Sequence, residues 1–327
     1  MRIVVLDSFA ADQGEGQGPG PDSNAWVELA ALGDLVLYPR TPPSQLIERC
    51  AGAAAVLTNK VEIDAGLMAA APSLRYVGVV ATGTNMVDLD AARARGIAVT
   101  NVPGYATDSA AQLVFALILH FTHDVAGHVA DVKAGRWAAS PDFCFFRQPL
   151  MELAGKTLVV VGSGHIGGGV ARIGQAFGMR VLHAAVPGSP STAPRTPLNE
   201  ALEAGDVFTL HCPLTPATRG MVNAAFLRAM KPDAMLINTG RGALIDDQAL
   251  LAALDSGRLR GVGLDVLQVE PPPADHPLTD PRAPWAARVA ITPHIAWGTV
   301  EARRRIRAEV ARNLAAFVNG QPRNRVV

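Results

Sequence analysis

Short runs of β-branched and aliphatic residues alternate with Ala- and Leu-rich segments along most of the chain. The runs predict strands at Ile3–Leu6, Leu35–Tyr38, Ala54–Leu57, Tyr76–Val80 and Ile97–Thr100. A second series is predicted at Thr157–Val161, Arg180–His183, Val207–Leu210, Ala234–Ile237, Gly261–Leu264 and Arg288–Ile291. Several are apolar at nearly every position, the pattern of parallel strands covered on both faces. Helical spacing fills the gaps at Ala65–Ala71, Val87–Arg95, Gly168–Phe177, Ala224–Met230 and Asp247–Ser256. This alternation predicts an α/β protein of doubly wound parallel sheets with right-handed crossovers.

The two series have a visible break. After Asn101-Val102-Pro103-Gly104 a long apolar helix pattern covers Thr107–Ala130, and a polar and aromatic stretch follows from Trp137 to Pro149. The long helix is the expected hinge. The final helical pattern, Thr299–Val318, packs most economically back on the first series. The first domain is then discontinuous, residues 1–101 plus 297–327, and the second covers 102–296. Gly14–Pro21 and Pro187–Pro197 read as surface loops.

Composition narrows the class. The 327 residues are 49% hydrophobic and 18% charged, which supports a buried core and excludes a disordered chain. Lys+Arg and Asp+Glu both number 29, so no electrostatic footprint for nucleic acid or an acidic membrane surface is expected. Arg303, Arg304, Arg305 and Arg307 cluster locally, and one helix with exposed arginines accounts for them. No apolar run reaches the roughly 18 residues of a membrane span. Cys50, Cys144 and Cys212 fit neither a disulfide framework nor a zinc site, so a reducing, cytoplasmic compartment and no metal are expected.

One motif carries clear chemistry. Val159-Val160-Val161-Gly162-Ser163-Gly164-His165-Ile166-Gly167 is a buried strand entering G-x-G-x-x-G and then a helix, with another strand at the right distance. Gly162 allows the tight turn, Gly164 lets backbone approach a pyrophosphate, and Gly167 lets the helix pack on the strand. The helix N-terminus stabilises the phosphate charge. The second domain therefore reads as a Rossmann dinucleotide-binding domain. The acidic residue that would bond the ribose 2′-OH of NAD is missing, because Ala185 occupies its position and Val186 follows. Losing the carboxylate removes repulsion against NADP without supplying attraction, although Arg195 lies further along the loop. The balance is NAD(H) slightly ahead of NADP(H).

Three functional side chains end strands of the second series: Arg241 in Asn238-Thr239-Gly240-Arg241-Gly242, Glu270 in Gln268-Val269-Glu270-Pro271, and His294 in Thr292-Pro293-His294-Ile295. Strand C-terminal ends are where open α/β sheets bind ligands. Together with Leu57-Thr58-Asn59-Lys60, Ala81-Thr82-Gly83-Thr84-Asn85, Asn101-Val102-Pro103-Gly104-Tyr105 and His211-Cys212-Pro213-Leu214-Thr215, these segments resemble, in order, the D-isomer-specific 2-hydroxyacid dehydrogenase family. The glycerate dehydrogenase, or hydroxypyruvate reductase, branch is the most similar.

The resemblance implies a flavodoxin-like substrate domain beside the Rossmann domain, with a cleft between them. It implies that His294 donates a proton to the carbonyl oxygen of a 2-keto acid, that Glu270 orients the imidazole, and that Arg241 grips the substrate carboxylate. It places the substrate carboxylate on Thr82, Gly83 and Thr84. Cofactor contacts are implied at Thr107, Gly162, Gly164, His165, Ile166, Gly167, His211, Cys212, Pro213 and Thr239, and at Asp265 for the nicotinamide carboxamide. The expected activity is NAD(P)H-dependent reduction of hydroxypyruvate and glyoxylate to D-glycerate and glycolate. Another acid in the same family, or phosphite, is the first alternative. A dinucleotide-sensing, corepressor-like binding protein is the second. Family members are dimers, so a homodimer is expected, with Trp137 and Phe143–Phe146 lining the contact.

His120 and His123 share a helix face at i, i+3, but no carboxylate completes a metal pattern, so a surface or interface role is expected. Cys144 sits among aromatics in what reads as a packed loop, and Cys212 reads as a small buried residue.

Overall fold

The apolar runs become parallel strands, and those at the centre of each sheet are buried on both faces. The computed structural model describes residues 1–12, 26–190 and 194–327. The proposed loop Gly14–Pro21 lies outside the described residues, as do residues 191–193 of the loop Pro187–Pro197. The described residues form two compact units, Met1–Ala106 with Trp297–Val327, and Thr107–Ala296.

The first unit contains β1 (Arg2–Val5), α1 (Phe9–Asp12), α2 (Val27–Ala30), β2 (Asp34–Leu37), α3 (Leu46–Cys50), β3 (Ala55–Thr58), α4 (Ala65–Ala70), β4 (Tyr76–Val79), α5 (Leu89–Ala94), β5 (Ala98–Thr100) and the closing helix α12 (Val300–Val318). Its described strands form one parallel sheet in the order β2-β1-β3-β4-β5, the flavodoxin-like order. Residues of β3 and β4 are buried throughout. One face packs against α12 through Ile306, Val310 and Leu314, and the other against Leu67, Met68 and Ala92 of α4 and α5.

The arginines of α12 do not form an exposed cluster. Arg303 and Arg307 are buried at 4% and 5% exposure, while Arg304 and Arg305 face solvent. Arg307 donates to the carbonyl of Ala11, and Arg305 to that of Tyr105 at 2.8 Å. The helix meets backbone carbonyls on its packed face, and the guanidinium is the side chain long enough to reach them there.

The second unit contains α6 (Thr107–His123), α7 (Val125–Lys133), β6 (Thr157–Val161), α8 (His165–Ala176), β7 (Arg180–Ala184), α9 (Leu198–Ala204), β8 (Val207–Leu210), α10 (Ala224–Ala229), β9 (Met235–Asn238), α11 (Asp247–Asp255), β10 (Gly261–Leu264) and β11 (Val289–Ile291). Its described strands are all parallel, in the order β11-β10-β9-β8-β6-β7. The chain switches direction at β6, which pairs with β7 on one side and β8 on the other. A further strand beyond β7, expected in a full Rossmann order, is reduced to a single parallel bridge, Ala184 to Thr196. Pro194 and Pro197 flank that bridge, and proline cannot donate to a ladder.

The long helix predicted over Thr107–Ala130 is broken. Asp124 takes a left-handed conformation (φ 41°) and its side chain caps Gly127 N–H, so α6 and α7 meet at a 54° bend. Asp is among the few side chains that adopt this conformation readily. Among the described residues no single helix is long and apolar enough to cross a membrane. In α6, Val114, Leu117, Ile118 and Phe121 are buried against the sheet.

Gly261 shows how closely α6 approaches the sheet. A Cβ at this β10 position would stand 2.3 Å from the Phe121 ring, itself buried in the core. Overpacking of this kind costs about 1–3 kcal/mol. Gly261→Ala is therefore expected to lower the thermal midpoint by several degrees, measured by calorimetry, and Gly261→Ala combined with Phe121→Leu to recover part of the loss.

Candidate active site at the C-terminal edge of the second sheet

Three strand ends supply the side chains. After β9 the chain turns through Thr239-Gly240-Arg241, and the buried Asn238 side chain holds that turn. Asn238 Oδ1 accepts from Gly240 N–H (3.0 Å) and Nδ2 donates to the Arg241 carbonyl (2.9 Å). Arg241 is exposed and its guanidinium donates to the Gly240 carbonyl at 2.8 Å. The next residue, Gly242, lies against the segment after β10: a Cβ there would stand 2.0 Å from the Leu267 carbonyl carbon and 2.4 Å from Gln268 N. Only glycine permits that approach. The Arg241 turn is thus seated directly on the segment that leads to Glu270.

Glu270 and His294 are paired. Glu270 Oε1 accepts from Leu267 N–H at 2.9 Å, and Oε2 lies 2.5 Å from His294 Nδ1. The two side chains remain about one-third exposed, 33% and 28%. With the carboxylate fixed by its own backbone and bonded to Nδ1, the imidazole turns its other nitrogen, Nε2, away from the pair.

The His294 loop is held from below by Asp265. This residue ends β10 and is 1% exposed. Its Oδ1 accepts from the Thr292 hydroxyl (2.5 Å) and Ile295 N–H (2.9 Å), and its Oδ2 from Ala296 N–H (2.8 Å). Burial pushes the Asp265 carboxyl above the usual range, against the pull of these three donors and of His294. His294 itself adopts φ 54°, a left-handed conformation uncommon outside glycine. No sequence pattern marks Asp265 as the anchor of this loop, because its partners lie 27 to 31 residues away.

The glycine turn lies at the switch point of the sheet. Gly162 has φ 98°, and a Cβ there would stand 2.5 Å from Cys212 N and 2.6 Å from the His211 carbonyl carbon. A Cβ on Gly167 would strike the Gly162 carbonyl at 2.0 Å. By contrast, a Cβ on Gly164 would meet nothing within 4 Å. Gly164 caps α8, and His165 and Ile166 form its first turn. The arrangement is a tight turn, an open backbone approach and a helix N-terminus with unsatisfied N–H groups, which suits a pyrophosphate. Thr107 opens α6, and its methyl group lies against Gly169 of α8.

Polar atoms without partners line the same edge. His183 Nδ1 on β7, His211 Nε2 after β8 and Thr239 Oγ1 after β9 are buried with no hydrogen-bond partner among the described residues. Burial pushes the His211 ring down to about 4, so it is neutral at physiological pH. Buried polar atoms are nearly always satisfied, so these three stand out along the edge. Cys212 is buried, its thiol pushed up to about 11, with Sγ 3.8 Å from Met221 Sδ. Its side chain packs in the core. Pro213 follows it on the surface, and its carbonyl accepts from Thr218.

The chain also matches known proteins. The sequence profile described as D-isomer specific 2-hydroxyacid dehydrogenase, NAD binding domain, covers residues 115–296. Hydroxypyruvate reductase of Blautia hydrogenotrophica is 38% identical, over 99% of each chain. The chain belongs to the D-isomer-specific 2-hydroxyacid dehydrogenase family. Glycerate dehydrogenase of Methylorubrum extorquens is 38% identical over 86% of this chain and 88% of its own. The crystal structure of the TT0316 protein from Thermus thermophilus superposes with a TM-score of 0.84, at 37% identity and full coverage of both chains. The family assignment makes the chain an oxidoreductase of 2-hydroxy acids that uses a nicotinamide dinucleotide.

Considered by itself, the first unit carries Thr82, Gly83 and Thr84 just after β4. Thr82 Oγ1 donates to the Val102 carbonyl (2.9 Å), its own carbonyl accepts from Asn101 Nδ2 (2.7 Å), and the Thr84 carbonyl accepts from Val87 N–H (3.0 Å). The sheet's switch point between β1 and β3 is held by Asp7. Its carboxylate accepts from the N–H groups of Asn59 (2.7 Å), Lys60 (2.6 Å) and Val61 (3.2 Å). Asp7 has a visible sequence signal, a carboxylate directly after the first apolar run.

The loop around Cys144 is not packed as expected: Phe143 is 89% exposed and Phe146 63%, while the Trp137 indole donates to the Phe143 carbonyl at 3.0 Å. Of the aromatics, Phe145 alone is half-buried, with the His128 ring 5.9 Å from its own and the Arg136 guanidinium 4.6 Å over it. His120 and His123 do stand exposed on α6, and the His123 ring lies 3.0 Å from the Thr122 hydroxyl.

Asp265→Asn tests the anchor. One amide face can still accept, but the other turns an NH2 toward a backbone N–H that has lost its acceptor. An orphaned buried donor costs about 1–3 kcal/mol. Urea denaturation is expected to show a loss of that order, with the exchange rates of the Ile295 and Ala296 amides raised above those of the sheet.

Proposed function

We propose that this protein reduces hydroxypyruvate and glyoxylate to D-glycerate and glycolate with NAD(P)H. The observation that carries the reading is the Glu270–His294 pair at 2.5 Å, seated at the same sheet edge as the Arg241 turn and the glycine turn. The two relatives named above are, by name, a hydroxypyruvate reductase and a glycerate dehydrogenase, enzymes of the same substrate pair read in opposite directions.

The bound dinucleotide supplies the hydride. The chain's own residues do the rest. Gly162, Gly164, His165, Ile166 and Gly167 hold the pyrophosphate through backbone N–H groups. Thr107, His211, Cys212, Pro213 and Thr239 line the remainder of the site, with His211 and Thr239 gaining the partners they lack. Asp265 keeps one acceptor position on Oδ2 for the nicotinamide carboxamide, since a carboxylate offers about four and its own loop takes three.

Thr82, Gly83 and Thr84 receive the substrate carboxylate, and the planar fork of Arg241 grips carboxylate and carbonyl. As charge builds on the carbonyl oxygen, His294 donates a proton from Nε2. Glu270 keeps Nδ1 protonated and stabilises the imidazolium until it donates. Exposed Trp137, Phe143 and Phe146 belong to a contact with a second copy, and the protein works as a cytoplasmic homodimer.

The first test is kcat/KM for hydroxypyruvate, glyoxylate, pyruvate and phosphite with each dinucleotide. Hydroxypyruvate is expected to lead pyruvate and phosphite by at least tenfold. Negligible turnover across the panel, with an oligomeric state that changes on adding dinucleotide, would instead favour the sensor.

Glu270→Gln tests the pair. The amide oxygen keeps the acceptor for Leu267 N–H, while the negative charge beside the imidazolium is lost. Without that charge the ring loses its orienting partner, so kcat for keto-acid reduction is expected to fall at least tenfold with KM little changed. A kcat unchanged from wild type would count against the pairing.

A further inference from the structure

The ribose end of the dinucleotide site departs from the rule for NAD, and the structure supplies what replaces it. Ala185 follows β7 where a carboxylate would bond the 2′-OH. Thr196 lies against that same strand end. Ala185 N–H donates to the Thr196 carbonyl and Thr196 N–H to the His183 carbonyl, both at 2.9 Å, around the Ala184–Thr196 bridge.

This clamp fixes the residue beside it. Arg195 directly precedes Thr196 and is half-buried, between Pro194 and Pro197, whose rings restrict the backbone on either side. Arg195 is near enough to His183 to act on it. Burial first, and the Arg195 charge second, hold the His183 ring below the usual histidine range. His183 Nδ1 is buried with no hydrogen-bond partner among the described residues. His183 and Ala185 are two apart, so they share a face of the strand. The strand end therefore presents no carboxylate, an arginine whose chain neighbour is bonded to the strand, and an imidazole nitrogen with no hydrogen-bond partner among the described residues.

We propose that the end of β7 reads the 2′-phosphate of NADP(H), with Arg195 as its charge partner and His183 beside it, so that the protein prefers NADP(H). The proposal rests on the dinucleotide reading above and reverses the slight lean toward NAD(H) drawn from the sequence. A carboxylate at position 185 would repel a phosphate dianion, and alanine does not. Arg195 adds an attraction that the local sequence after β7 conceals, because it arrives ten residues later through the bridge. The guanidinium fork suits a phosphate, where it forms paired, charge-assisted hydrogen bonds.

Binding of the adenosine halves alone tests this without any turnover. Calorimetric titration of the wild-type protein with adenosine 2′,5′-bisphosphate and with 5′-AMP is expected to show the bisphosphate bound at least tenfold more tightly. Arg195→Gln is expected to bring the two affinities together. Ala185→Asp is expected to invert the order, and it addresses the same point should Arg195→Gln not fold. Equal affinities in the wild type, a preference that survives Arg195→Gln, or no measurable binding of either nucleotide overturns the proposal. Absence of keto-acid turnover with both cofactors bears on the substrate reading instead, and leaves the nucleotide titrations to decide this one.

Discussion

The buried carboxylate of Asp265 is the constraint on which the candidate site depends. It is fixed at the end of β10, and it gathers the Thr292 hydroxyl and the N–H groups of Ile295 and Ala296 from the loop after β11. His294 sits inside that loop in a left-handed conformation. Such a conformation costs a non-glycine residue of order 1–3 kcal/mol. Hydrogen bonds to a charged group contribute about 1.5–3 kcal/mol each. Three of them outweigh the strain, so the loop adopts the one path that turns the imidazole toward Glu270.

The first unit uses the same device at its own switch point. Asp7 ends β1 and collects three consecutive backbone N–H groups after β3. Its carboxyl, like that of Asp265, is raised by burial against the pull of the backbone donors it holds. In a parallel sheet the C-terminal ends of the strands release the chain into loops whose N–H groups need acceptors. A carboxylate at the end of a neighbouring strand satisfies several at once and fixes the loop's path. Rigid strands thereby pass their precision to loops that carry chemistry.

The strands were legible because burial on both faces writes itself as unbroken apolar runs. Thr157–Val161, Val207–Leu210 and Gly261–Leu264 are strands at the predicted residues. The long helix was misread past Asp124 because both α6 and α7 are apolar enough to continue one pattern, and a left-handed aspartate leaves no trace in periodicity. The burial of Arg303 and Arg307 is not legible, because composition cannot show a buried carbonyl such as that of Ala11 awaiting a guanidinium. The residue types of the site were legible at strand ends, as was the glycine turn. The partnerships were not. That Gly242 seats the Arg241 turn on Leu267, and that Thr196 returns Arg195 to β7, depend on contacts between segments that sequence spacing does not relate.

The two carboxylates near His294 stand in different environments. Both Asp265 and Glu270 act on this ring. Asp265 is enclosed and its charge is already spread over three donors of its own chain, so it has little left to give a titrating imidazole. Glu270 is one-third exposed, holds a backbone donor on Oε1, and points Oε2 at Nδ1. Exposure matters in both directions. Exposure leaves the Glu270–His294 pair open at the rim, while exclusion of solvent keeps the Asp265 anchor from exchanging its donors for water. Two acids of similar chemistry therefore take different tasks because one is buried among donors and the other stands at the rim. Exchanging their side chains would place the shorter acid out of reach of Nδ1 and the longer one in a space already filled by the loop it should hold.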